Sequence, residues 1–287
     1  MVEVLVHFVA PALVGVLIGI ASGLLGIGGG TVMVPIFRLA FEMSATMSTA
    51  TSLFAIIPTS ISGAISHVKG KTCIPALGIA AGLGGACMSP IGVWLAQLSP
   101  DWLVMLAAAL IIGYSAINMF KKAFKFRLAG QPATGVDAAA AASLTSSGDA
   151  AAAAPTADDS SLSRKQLLQG AAIGLVAGLA SGYVGVGGGF IMVPLMLSII
   201  GIPMRKASGT SLIAVMILAI PGVIEQGIIG NINYLAGIAI VIGTIPGAVI
   251  GARLVTKVPE RTLRLLFGCF LIVAAVMLVL NEVGIFG

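Results

Sequence analysis

Apolar residues in this chain run in long blocks, and the polar residues gather in short clusters between them. The windows Val4 to Leu25, Ser48 to Ile65, Ile74 to Leu95 and Trp102 to Phe120, with later counterparts, approach the roughly 20 apolar residues a helix needs to cross a bilayer. A series of such windows predicts an all-α polytopic membrane protein. The first window lacks a basic leader and a small-residue cleavage pattern, so it is read as a retained helix rather than a signal peptide.

The blocks recur. Gly19 to Pro35 reads GIASGLLGIGGGTVMVP and Gly178 to Pro194 reads GLASGYVGVGGGFIMVP, an offset of 159 residues. The same offset relates Thr51-Ser52-Leu53 to Thr210-Ser211-Leu212, Gly78-Ile79-Ala80 to Gly237-Ile238-Ala239, and Pro100-Asp101 to Pro259-Glu260. Two tandem homologous repeats are therefore expected, over 1–126 and 164–287. Between them, 127–163 is rich in Ala, Ser, Gly and Asp and lacks the apolar surface needed to offset its ordering entropy, so it reads as a flexible linker.

Each repeat begins with an apolar segment broken by glycines and continues with three ordinary spans. If the broken segment makes one crossing, the repeats are parallel; if it folds back as a hairpin, they are inverted. Basic residues favour the second arrangement. With inversion, all of the 15 Lys and Arg residues except Arg38 lie at or near the face that carries the linker, which the positive-inside rule makes cytoplasmic. Both chain ends are then expected outside. The predicted fold is thus two inverted repeats, each a glycine-broken hairpin plus three transmembrane helices.

Composition agrees and excludes alternatives. Hydrophobic residues make up 58% of the chain, charged residues 9%, and mean hydropathy is +1.12, so a soluble enzyme is excluded. The net charge of +5 comes from clusters beside the spans, a topological signal that gives no reason to expect a nucleic-acid partner. Cys73, Cys87 and Cys269 are too scattered for a metal site or disulfide framework, and neither cofactor nor metal is expected.

The candidate chemistry lies in the breaks. Gly28, Gly29 and Gly30, and their equivalents Gly187, Gly188 and Gly189, are poor helix interior and leave peptide groups without regular partners. Lipid tolerates such backbone only where protein buries it or water reaches it. A half-helix starting after each triplet would direct amides and a positive dipole end at the break, a site for an anion. Glycines used only for close helix packing are the competing reading. Packing is the first reading for the stripes Gly15, Gly19, Gly23; Gly170, Gly174, Gly178, Gly182; and Gly243, Gly247, Gly251, with a homodimer face as their alternative use.

Thr51, Ser52, Thr210 and Ser211 offer hydroxyls to the same anion, or else bond back to their own helices. His67, Glu225 and Gln226 end the second helix of each repeat. They are candidates for coupling transport to a proton or sodium ion, against a plain role as interfacial polar ends.

The duplicated GLLGIGGGTVMVP and GYVGVGGGFIMVP segments, the Thr-Ser-Leu after each and the GxxxGA stretch at Gly247 to Ala252 resemble the TauE/SafE sulfite exporter family. The likeness covers both repeats and leaves out the linker. It implies movement of sulfite, sulfonates and related organosulfur anions across the bacterial cytoplasmic (inner) membrane, commonly outward and by alternating access. The family's glycine motif falls on Gly26, Gly28, Gly29 and Gly30, and on Gly185, Gly187, Gly188 and Gly189. A passive anion channel is the alternative. A dinucleotide-binding enzyme fails because the sixth position of the glycine pattern is Thr31 or Phe190 and no parallel-sheet pattern surrounds it. An intramembrane protease fails because no GxSxG, HExxH or paired intramembrane aspartates occur.

Overall fold

The computed structural model describes residues 10–128 and 163–282. The segment read as a linker lies outside the described residues except at its two ends, as do both chain termini.

Among the described residues ten α-helices follow one another: α1 Ala10–Leu25, α2 Gly30–Phe41, α3 Ala45–Lys69, α4 Pro75–Leu98, α5 Asp101–Leu128, α6 Arg164–Val184, α7 Gly189–Leu195, α8 Met204–Ile229, α9 Tyr234–Leu254 and α10 Glu260–Glu282. Among the described residues seven of them, α3 to α6 and α8 to α10, are long and apolar enough to cross a membrane. Their boundaries have local causes. Ser44 accepts from the Met47 amide at the start of α3, Ser163 and Gln166 form a capping box on α6, and Asn233 accepts from the Ala236 amide on α9. Pro75 opens α4, where its missing donor costs nothing.

The two breaks share one device. Gly26, Gly28 and Gly29 have φ of 75, 82 and 84°, and Gly185, Gly187 and Gly188 have 72, 88 and 68°. Three left-handed residues within four positions reverse the chain, a path that side chains with a Cβ resist. The halves then differ. α2 stays regular to Phe41, whereas α7 stops at Leu195 and passes into a π-helical turn, Met196–Ile200.

Helix directions follow from contact order. Gly15 of α1 meets Ile240 and Gly243 of α9, Gly19 meets Thr244, and Gly23 meets Ala248 and Ala252, so α1 and α9 run the same way. Gly170, Gly174, Gly178 and Gly182 of α6 meet Leu77, Ala81, Gly85 and Ser89 of α4 in the same ascending sense. Gly78, Gly82 and Gly85 of α4 meet Ile213, Ile217 and Leu218, so α4 and α8 also run together. In contrast Gly63 of α3 meets Leu212 of α8 while Gly222 of α8 meets Leu53 of α3, which sets these two helices in opposite directions. α2 begins beside Ile56 in the middle of α3 and ends at its start, so the chain doubles back after α1. Its 12 residues span ~18 Å, about three-fifths of a bilayer core.

These pairings exchange partners between halves. α1 lies on α9 and α4 on α6, through the glycine stripes. A Cβ added at Gly243 would fall 1.8 Å from the Ala12 carbonyl oxygen, at Gly174 1.9 Å from that of Ala81, and at Gly178 2.1 Å from that of Gly85. Backbone against backbone at this range maximises dispersion contact where no hydrophobic drive joins helices. All three stripes are used up inside the chain, which corrects the alternative that they form a homodimer face.

Candidate functional site

The two breaks meet at the centre of the bundle. The third glycine of each triplet lies against the other break: a Cβ at Gly30 would stand 2.5 Å from the Val186 carbonyl oxygen, and one at Gly189 2.5 and 2.8 Å from those of Gly26 and Ile27. These two glycines are therefore demanded by close approach. Residues 22–30 and 184–190 are all buried.

The other four triplet glycines keep open backbone. Among the described residues no carbonyl accepts from the amides of Gly28, Gly29, Gly187 or Gly188, while the Gly189 amide turns back on the Gly187 carbonyl at 2.8 Å. The carbonyls of Gly29 and Gly188 start the next helix by accepting from Met33 at 3.2 Å and Met192 at 3.0 Å. Amides without acceptors beside a helix start can attract an anion.

The paired hydroxyls divide. Thr51 Oγ1 accepts from the Asn233 amide at 3.0 Å, and Thr210 Oγ1 accepts from the Ile74 amide at 2.9 Å, each capping a helix of the opposite half. Ser211 Oγ donates to the Gly26 carbonyl at 2.7 Å, with the Ser208 carbonyl at 2.8 Å sharing the same hydrogen. Of the four, Ser52 Oγ is the one buried without a partner. The threonines thus hold helix ends, and Ser211 holds the shape of the first break.

The candidates for ion coupling stand at helix ends. His67 is fully buried, with Nδ1 2.7 Å from Thr72 Oγ1 and Nε2 2.8 Å from the Gly23 carbonyl, to which it donates in its Nε2–H form. Gln226, its equivalent, accepts from Asn231 Nδ2 at 2.9 Å through Oε1. Each side chain therefore fastens the loop that follows its helix. Glu225 is half-buried, and its Oε2 is out of solvent without a partner among the described residues.

Sequence reasoning passed over several hydroxyls at the breaks. Ser22, Thr31, Ser60 and Ser181 are fully buried, and their oxygens have no partner among the described residues. Ser22 lies beside Gly29, Ser60 beside Gly28 and Ser181 beside Gly188. The signal for two of them was available, because Ser22 and Ser181 precede equivalent glycines in the two repeats. Buried hydroxyls left unbonded cost about 1–3 kcal/mol each, so their concentration around open amides marks a polar centre in an otherwise apolar bundle. Among the described residues no Lys, Arg, Asp or Glu is buried there. No group of three His, Cys, Asp or Glu side chains able to hold a metal comes together among them either.

Comparison with known proteins covers nearly the whole chain. Residues 11–278 match the family described as Sulfite exporter TauE/SafE. The chain is 27% identical to "Probable membrane transporter protein YunE" of Bacillus subtilis, covering 97% of this chain and 99% of that one. It is 28% identical to a "Probable membrane transporter protein" of Haemophilus influenzae, over 94% and 97% of the two chains. To one from Methanocaldococcus jannaschii it is 23% identical, over 93% and 94%. No solved structure matches.

Proposed function

The chain belongs to the TauE/SafE family of membrane transporters, and from that premise we propose that it is a secondary transporter exporting sulfite or an organosulfonate across the bacterial cytoplasmic membrane by alternating access. The anion is held between the two breaks by the amides of Gly28, Gly29, Gly187 and Gly188, with Ser22, Ser52, Ser60 and Ser181 as hydroxyl donors. Gly30 and Gly189 let the breaks approach each other, and Thr51, Thr210 and Ser211 keep the surrounding helices in place.

One observation carries this reading: donors without acceptors converge from the two halves on a buried point that holds no charged side chain among the described residues. An anion would satisfy those donors, and lipid gives no other reason to leave them open. The same burial favours a carrier over a channel, since neither break is open to solvent. The opposed directions of α3 and α8, together with the doubling back after α1, support inverted repeats around one central site, the architecture in which rocking of one half against the other exposes the site alternately. The linker and the basic clusters then face the cytoplasm. A reporter fused at Gly287 is expected outside, and a cytoplasmic signal would overturn the topology.

Energy is proposed to come from a proton or sodium gradient. The test is reconstitution into liposomes loaded with buffer, with sulfite supplied outside and each gradient imposed in turn. Accumulation above the equilibrium level under one gradient supports a coupled carrier. Equilibration alone, at the same rate with and without gradients, identifies a passive channel.

A further inference from the structure

Two apolar side chains occupy the point where the breaks come together. Ile56 of α3 and Val215 of α8 are separated by the repeat offset of 159 residues, and both are fully buried. A Cβ added at Gly28 would lie 2.9 Å from Val215 Cγ1 and 3.3 Å from Ile56 Cγ2. One added at Gly187 would lie 2.8 Å from Ile56 Cδ1, 3.5 Å from Ile56 Cγ2 and 3.5 Å from Val215 Cγ1. The first glycine of each triplet is thus covered by methyl groups from both helices. Ile56 Cδ1 also reaches Gly30, 2.6 Å from the same kind of point, so the isoleucine touches both triplets and the valine completes the cover.

Hydrocarbon seated over peptide groups that lack acceptors calls for an explanation. It cannot satisfy those donors, and in a static bundle a polar side chain there would be the more stable choice. An apolar cover serves a different end: it excludes water and ions from the break while no ligand is bound, and it withdraws when a ligand takes its place.

Resting on the anion-site reading above, we infer that Ile56 and Val215 form a two-part apolar seal between the glycine triplets, and that their bulk sets the largest substituent an anion can carry through the site. Ile56 contributes more, since it spans three glycines.

The test uses the full-length protein in proteoliposomes, with sulfite and a series of methane-, ethane-, propane- and butanesulfonate as probes. Wild type is expected to favour the small end of the series. Removing three carbons with Ile56→Ala together with two in Val215→Ala should raise the butanesulfonate to sulfite ratio by about tenfold, the scale of a methylene-sized pocket change. Ile56→Phe should lower that ratio. If the double variant fails to elute as a single species in detergent, Ile56→Val, one methylene smaller, carries the test with an expected rise of up to about tenfold. A ratio unchanged in folded variants, or a uniform loss of rate for every probe, makes the pair ordinary packing and overturns the seal while leaving the anion site intact. Wild-type liposomes that take up none of these anions overturn the site reading, and the seal with it.

Discussion

Glycine does opposite work in two parts of this bundle. Along α1, α6 and α9 it forms stripes in regular helix, and at Gly23, Gly174, Gly178 and Gly243 the nearest obstacle to a Cβ is the backbone of the neighbouring helix, about 2 Å away. At Gly28, Gly29 and Gly187 the nearest obstacles are side-chain ends: Val215, Ile18, Met33 and Ile56. Both sets are buried, and composition alone does not separate them. The surroundings of these stripe glycines cannot move without moving a whole helix, whereas those of Gly28, Gly29 and Gly187 can move by a bond rotation. Rigid contact suits assembly; yielding contact suits a place where something enters.

Substitutions can break or sharpen this contrast. The largest effect is expected from Gly174→Ala or Gly243→Ala. A methyl placed within 2 Å of a carbonyl oxygen must push two helices apart along their length, at about 3 kcal/mol or more, so detergent-extracted protein should be aggregated or scarce. A stripe variant that remained monodisperse with an unchanged melting midpoint would abolish the distinction.

Next comes Gly29→Ala, which meets only Ile18 Cγ2 at 3.0 Å, Met33 Cε at 3.1 Å and Ser22 Cβ at 3.6 Å but must hold a left-handed φ, a strain of about 1–2 kcal/mol. The melting midpoint should fall slightly while affinity for sulfite falls about tenfold or more, measured by titration of the purified protein. Affinity lost only in step with stability would make the triplets packing elements as well. Thr210→Val is expected to cost about 1 kcal/mol through the uncapped Ile74 amide, with affinity preserved; a specific loss of affinity would return this hydroxyl to the binding site. The smallest effect is expected from His67→Gln, because glutamine stands at the equivalent position 226. Gradient-driven uptake should persist and the midpoint should shift by a few degrees at most. Uptake that became insensitive to a proton gradient would instead give His67 the coupling role.

Much of this bundle was legible in the chain. The repeat offset located both breaks, the apolar blocks located the long helices, and four-residue glycine spacing identified the packing stripes, because each is written in residue types with strong physical preferences. The partners of those stripes were not legible. Nothing in Gly15 or Gly243 names the other, since the match depends on how helices far apart in sequence come together. Ile56 and Val215 were invisible for a related reason: an apolar residue in an apolar helix carries no signal until its neighbours are known. The division among the hydroxyls was not legible, because Thr51 and Thr210 stand out as a repeated pair while the unbonded Ser60 has only Ala219 at its equivalent position. Hydrogen-bond partners across helices decide such roles, and those are a property of the assembled bundle.

The exchange of partners between the halves has a consequence for how the protein is made. α1 enters the bilayer well before α9, the helix that covers its glycine stripe, has left the ribosome. α4 likewise waits for α6 across the intervening segment. Until then both stripes face lipid or the insertion machinery with their closest contacts unmade, and a chain truncated after its first half has no means of completing them. Non-local pairing of this kind is slow to form. The nascent protein therefore passes through a long interval in which its early helices are inserted but unfinished, and exposed contacts of that kind are where a chain is open to misassembly.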